Sequence, residues 1–309
     1  MPRYESTIVN AFTVDVEDYY HVSSCEHVVR RDQWDTFERR VEQNTARMLD
    51  LLDRFAIRAT FFVLGWVAER HPNLVREIHR RGHEIGSHGY WHRLIYEQSP
   101  QAFKNDIRES KRILEEITGK PVVIYRAPSF SITSNSLWAL DILVEEGFQI
   151  DSSIFPVRHD RYGVPAARKE IHAIRTAAGP LWEFPPTVTE VARFRLPIGG
   201  GGYLRLYPTG FTCRHLQQIN DRQRRPFLVY VHPWEIDPEQ PRITGTSRLT
   251  RFRHRVNLHK TERKIARLLE SFRFGPVGEV VDECVLHDHR RRPTPVRMRM
   301  SPTTRPSPR

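Results

Sequence analysis

Residues 58–92 read "RATFFVLGWVAERHPNLVREIHRRGHEIGSHGYWH". The run 58–65 is apolar and closes on glycine, as a buried strand does. Pro72 opens a helix and Gly82 ends it, the usual placement of proline in the first turn and glycine after the last. Residues 83–89 then read as a second short strand opening into a loop. A strand, a helix and a strand in so short a span predict a parallel crossover, because parallel neighbours need a connection of this kind.

The same alternation extends in both directions. Upstream, "IVNAFTVDV" (8–16) is a buried strand, and 36–55 is a helix with Phe37, Val41, Met48, Leu51, Leu52 and Phe55 at helical spacing. Downstream, a helix over 99–120 leads to strand "PVVIYRAPS" (121–129), and a helix over 134–147 leads to "FQIDSSI" (148–154). Later come "LWEFPPT" (181–187), the glycine-rich "IGGGGYLRL" (198–206), a helix from 209 and strand "PFLVYVHPWE" (226–235). A long basic helix is expected over 248–273. Alternating strands and helices predict an α/β fold with a mostly parallel sheet, a barrel or a doubly wound sheet.

Composition narrows the function classes. The chain has 309 residues, 39% of them hydrophobic, and its three cysteines form no C-x-x-C pair. Neither a disulfide framework nor a thiolate zinc ribbon is indicated. The net charge is +11, but residues 290–309 hold seven arginines and no acid; without them 41 basic residues face 37 acidic ones, or +4. We therefore expect one domain over 1–287 and a disordered basic tail over 288–309. No nucleic-acid motif accompanies the charge, and no nucleic-acid partner is expected. The N-terminus shows no signal-peptide pattern, which places the protein in the cytoplasm as an expectation.

Polar residues punctuate the ends of several strands, where parallel α/β folds build their sites. They are Asp15, Glu17 and Asp18 in "VDVED", His88 and His92 in "GSHGYWH", Arg126 in "YRAPS", Asp151 in "IDSS", and His232 and Glu235 in "VYVHPWE". H-E-x-x-H is absent, because the histidine after His83–Glu84 comes five positions after His83. His88 and His92, at i and i+4, would converge if they sat on a helical turn. Two imidazoles and a carboxylate suit a catalytic divalent ion, zinc first, with cobalt or another ion as alternatives. His83 and Glu84 are expected to be structural.

At these motifs the chain resembles the NodB-type polysaccharide deacetylases of carbohydrate esterase family 4. "TVDVEDYYHV", "GSHGYWH", "YRAPSFS", "IDSSIFP" and "YVHPWE" stand in that family's order over roughly residues 8–285. The D-V-E-D variant of the first motif is that of exosortase-associated exopolysaccharide deacetylases. The resemblance implies a distorted (β/α) barrel of about seven parallel strands and removal of N-acetyl groups from N-acetylhexosamine units. It implies Asp15 as base, His88 and His92 as metal ligands, and Arg126 as the arginine holding the base. It also implies His232 as acid and Asp151 as the carboxylate tuning it. Val16 replaces the family's metal-binding aspartate, so Glu17, preferred, or Asp18 must supply the third ligand.

The implied partner is an N-acetylated polysaccharide or lipid-linked oligosaccharide, which a cytoplasmic enzyme would meet at the inner membrane face. The basic helix reads first as a core-packed helix with a solvated face, with peripheral contact to an anionic membrane as the alternative. A backbone N–H near Ser129–Phe130 could receive the oxyanion, and Tyr19, Tyr20, Trp91 and Trp234 could stack on sugars. The tetraglycine run is expected to bring backbone close to substrate. Two rivals stand beside this reading: an allantoinase-like hydrolase of a small cyclic amide or ureide, and a non-catalytic carbohydrate-binding relic. A zinc nucleobase deaminase is excluded by the missing P-C-x-x-C.

Overall fold

The apolar run near the start of the chain becomes the hub of the sheet. The computed structural model describes residues 7–159, 161–192 and 194–289. In chain order it contains β1 (Val9–Val16), α1 (Val41–Arg54), β2 (Thr60–Val63), α2 (Gly65–Arg70), α3 (Pro72–Arg80), β3 (Glu84–Ser87) and α4 (Pro100–Thr118). There follow β4 (Ile124–Tyr125), α5 (Trp138–Glu145), β5 (Ile150–Asp151), β6 (His172–Arg175), β7 (Pro180–Glu183), β8 (Val188–Val191) and β9 (Phe194–Pro197). The last part holds α6 (Gly201–Leu206), α7 (Thr209–Gln223), β10 (Leu228–Val231), α8 (Arg248–Arg255), α9 (Leu258–Ser271), β11 (Arg273–Gly275) and α10 (Val277–His289).

Nine of these strands form one sheet in the order β10-β1-β2-β3-β4-β5-β7-β6, with β11 also on β1. The seven from β10 to β7 run parallel, as the crossovers predict. Their register aligns one row across the sheet: Val16, Val63, Ser87, Tyr125, Asp151 and Glu183 are successive partners. That row is the C-terminal end of every strand in it, so whatever follows each strand is delivered to one place.

The ring of strands is not closed by a continuous ladder. Between β7 and β10, Thr187 Oγ1 accepts from Leu228 N–H (2.7 Å) and donates to Leu228 O (2.8 Å). Tyr230 N–H donates to Gly199 O, and Gly200 bridges Tyr230. A Cβ on Gly199 would run into Leu228 O, and one on Gly200 into Tyr230 O. At Gly199 and Gly200 the close approach is therefore to β10, whereas Gly201 and Gly202 of the same run line a cleft described below.

Local signals explain most elements. Ser99 caps α4 by accepting from Ala102 N–H, and Gly119 ends it at φ +64. Its apolar face of Phe103, Ile107, Ile113 and Leu114 is buried. Three expectations differ. Helix α1 begins at Val41 and not near residue 36, because the Asp18 carboxylate caps Arg40 N–H (2.7 Å) and Val41 N–H (2.9 Å) across the fold. The helix expected over 248–273 is two, broken at Asn257 (φ +54), whose side chain donates to Arg205 O. The expected tail lies outside the described residues from 290 onward, and 288–289 still belong to α10. Among the described residues no helix is long and apolar enough to cross a membrane.

Candidate active site

Glu17, His88 and His92, each no more than 3% exposed, bring one donor atom apiece within 4.8 Å of one another. Glu17 lies one residue past β1, where its N–H turns back onto Asp15 O. The two histidines sit on a loop and not on the helical turn expected of i, i+4 spacing. Gly89 (φ +72) and His92 (φ +51) fold the loop back, and Asp106 pins it by accepting from Tyr90 N–H and Trp91 N–H.

The donor set fits a divalent cation. His88 Nδ1 faces Arg126 O at 2.8 Å, a carbonyl that can only accept, so Nδ1 carries the proton and the Nε2 lone pair is left free. Burial pushes His88 down to about 4, keeping it neutral as a ligand must be. Burial opposes the charge of Glu17, yet His92, His232 and His88 hold it well below the usual carboxylate range. Glu17 Oε2 and His92 Nδ1 are buried without hydrogen-bond partners, and Glu17 Oε2 meets His92 Nε2 only as an ion contact at 2.9 Å. Orphaned buried donors and acceptors of this kind are what a ligand set looks like without its ion.

Asp18 takes no part. Its carboxylate accepts from the backbone N–H groups of Tyr19, Arg40 and Val41. The sequence offered it as an alternative third ligand; the structure spends it on capping α1.

Arg126, fully buried, organises the other side of the cleft. Its Nη1 donates to Asp15 Oδ1 (2.6 Å) and Thr13 Oγ1 (2.8 Å), and Nη2 donates to Ser152 Oγ (2.9 Å). The guanidinium also lies over the Phe62 ring at 4.1 Å. A group held from so many directions has one orientation, and so does the carboxylate it grips.

His232 faces both carboxylates. Its Nε2 lies 3.2 Å from Glu17 Oε1 and 3.8 Å from Asp15 Oδ2, while Nδ1 lies 3.2 Å from Glu235 Oε2. Glu235 is in turn held by Arg205 Nε at 2.7 Å. Burial pulls the imidazole down, but Glu235, Glu17 and Asp15 together hold it up to about 9. His232 is thus a proton carrier at neutral pH.

Asp15, Glu17, His88, His92, Arg205, His232 and Glu235 line one cleft of about 420 Å³, with Arg126 buried behind Asp15. Residues 30–144 match the polysaccharide deacetylase family, and residues 152–282 match a domain of unknown function, DUF3473. Over residues 30–144 the chain is similar to the polysaccharide deacetylases, as its motifs implied. A peptidoglycan-N-acetylglucosamine deacetylase of Bacillus cereus is 36% identical over 107 residues, which cover 34% of this chain and 38% of that protein. The match thus spans well under half of that curated relative's length. A Mycobacterium smegmatis protein named for the polysaccharide deacetylases superposes with a TM-score of 0.59 at 20% identity, covering 99% of each chain. PuuE allantoinase superposes at 0.55 and 15%, covering 94% and 93%. Both likenesses establish the fold alone.

In this chain the carboxylate behind His232 is Glu235, where the resemblance implied Asp151. Asp151 lies beside Glu183, both wholly buried at the row of strand ends. Burial raises Asp151 to about 6, and burial together with Asp151 raises Glu183 well above its usual range, so Glu183 keeps its proton. Glu183 Oε1 also accepts from Ile154 N–H, and Asp151 Oδ1 accepts from Ser153 Oγ. The pair is buried where β5 meets β7, and the Arg126 charge acts to lower both carboxyls without offsetting their burial.

Other expectations divide. Tyr19 and Tyr20 are core residues, 2% and 1% exposed, and reach no sugar. Trp234 does line the cleft, stacked between His232 and His254. Phe130, Tyr162, Tyr203 and Phe252 join it there; Phe130 stands within the "YRAPSFS" motif and Tyr203 follows the glycine run, while Tyr162 and Phe252 lie outside any motif. Phe130 N–H is spent on Ala127 O, so it cannot receive an oxyanion. His83 and Glu84 are structural as expected: His83 Nδ1 accepts from Ala59 N–H, and Glu84 accepts from Thr60 Oγ1 and Gly278 N–H at the far end of the sheet.

Proposed function

We propose that the protein is a metal-dependent hydrolase that removes N-acetyl groups from N-acetylhexosamine units of a polysaccharide or its precursor, in exopolysaccharide biosynthesis. The observation that carries this is the meeting, in one cleft, of a three-donor cation site, a clamped carboxylate and a charged histidine. In this proposal the protein works in the cytoplasm at the inner membrane face.

Glu17, His88 and His92 would hold the cation, zinc in the first instance. When bound, such an ion supplies Lewis acidity toward the acetamide carbonyl and the attacking water. The chain does the rest. Arg126 holds Asp15 Oδ1, leaving Oδ2 turned to the cleft to take the proton of the water that attacks the acetyl carbon. As the carbon–nitrogen bond breaks, His232 Nε2 gives its proton to the departing amine, and Glu235 and Arg205 steady the ring. Acetate and a free amino sugar result. The aromatic lining offers apolar faces to the pyranose rings and keeps bulk water out.

The test is acetate release from N-acetylglucosamine oligomers by the purified chain, with and without zinc, beside His88→Ala. Zinc-dependent acetate that disappears in the variant is expected. Turnover of small ureides with no acetate would replace this reading by the allantoinase-like one. No turnover and no bound metal would leave a carbohydrate-binding relic.

A further inference from the structure

Between residues 240 and 261 the sequence carries six basic side chains (Arg242, Arg248, Arg251, Arg253, Arg255 and Lys260) and no carboxylate. The break at Asn257 sets most of them on and around α8, a helix at the rim of the catalytic cleft, which Phe252 and Arg253 line. Among the described residues, Arg242, Arg248, Arg251 and Arg253 form no ion pair. Leu249 and Phe252, three positions apart on one face, are 57% and 55% exposed. Leu206 of α6, 51% exposed, borders the same cleft.

A second cavity, of about 530 Å³, opens beside α8. Arg242, Arg251 and Arg255 line it with Thr244, Thr246 and Thr250, and no carboxylate does. Arg255 is braced by the carbonyls of Gln240 and Pro238, which fixes one wall. Guanidinium and hydroxyl donors without an acid are the chemistry of a phosphate site.

A single exposed leucine is ordinary. Large apolar side chains at a cleft mouth, flanked by unpaired arginines and a phosphate-suited cavity, are the composition of an element that lies in a lipid interface. A soluble acidic polymer would engage the arginines and leave Leu249 and Phe252 unexplained. We propose that α8 and the arginine–threonine cavity beside it form a docking surface for an anionic phospholipid membrane. Leu249, Phe252 and Leu206 enter the interface, and headgroup phosphates meet Arg242, Arg248 and Arg251. The cleft then opens at the bilayer, so its substrate is a lipid-carried sugar; this last step rests on the deacetylase reading, and the docking does not.

The full chain is sedimented with vesicles of phosphatidylglycerol and phosphatidylcholine, and with phosphatidylcholine alone, at low salt and at about 0.5 M salt. Co-sedimentation with the anionic vesicles only, weakened by salt, is expected. A Leu249→Ser/Arg251→Glu variant should partition at least about tenfold more weakly. Its melting temperature and its acetate release from soluble oligomers should match the parent's. Equal pelleting of variant and parent would overturn the proposal, since the basic residues 290–309 would then be holding the lipid. So would equal binding to neutral vesicles, or no binding at all. Acetate release by the parent reports on the deacetylase reading separately.

Discussion

Glu235 stands 3.2 Å behind His232 Nδ1, and Arg205 stands 2.7 Å behind Glu235. This chain of three ends at the His232 proton, so Glu235→Gln keeps the shape and removes the charge. Removing a general acid outright costs about 10²–10⁴ in rate. We expect His232→Ala to fall in that range and Glu235→Gln to lose about tenfold in kcat with KM little changed. Steady-state kinetics on soluble oligomers decide this, and an unchanged kcat in Glu235→Gln would remove Glu235 from the machinery.

The acids of "VDVED" should separate cleanly. Zinc bound only to the folded state raises stability by about 2.7 kcal/mol at a hundredfold excess over Kd. Thermal melting should show that rise in the parent and in Asp18→Ala, and lose it in Glu17→Gln. Without metal, Asp18→Ala should be the less stable of the two variants, by the ~1 kcal/mol typical of a lost helix cap.

Arg126→Met leaves Asp15, 2% exposed, without its partner. Breaking a buried pair from one side costs about 3–5 kcal/mol. The urea midpoint should drop accordingly, whereas Arg112→Ala, which removes an exposed pair with Glu109 and Glu116, should leave the midpoint in place.

Burial lowers His83 from 6.5 to about 4. Between those values the unfolded chain binds the proton and the folded chain does not. The stability this gives is complete above about pH 6.5 and is lost as pH falls toward 4, on the order of 3 kcal/mol for this group. His83→Asn keeps an acceptor for Ala59 N–H but cannot titrate, so its unfolding free energy should fall less between pH 6.5 and 4. Parallel pH curves for the two proteins would refute the assignment.

The sequence yields the sheet because apolar runs and Pro–Gly punctuation are local signals. The same holds for Asp15, His88, Arg126 and His232, since a polar residue after a buried strand has few places to go. What it hides is contact across the chain. Nothing near Arg205 in "GYLRLY" announces that it will meet Glu235 thirty residues later. Nothing near Asp18 says that it will end up at the start of a helix twenty-two residues on. The i, i+4 spacing of His88 and His92 suggested a helical turn, and two left-handed loop residues achieved the convergence instead. Tyr19 and Tyr20 looked available because they follow a site motif, and burial in the aromatic cluster with Phe37 and Trp34 claims them.

The row of register partners from Val16 to Glu183 crosses the boundary between the two matched regions without a seam. Arg126 comes from the first region, Arg205, His232 and Glu235 come from the second, and Asp15 and Glu17 precede both. Neither region is therefore an interchangeable module. Exchanging either half for that of another chain would take apart the cluster of Asp15, Glu17, Arg126, Arg205, His232 and Glu235. The walls of the cleft come from single segments, while its floor is assembled from the whole chain.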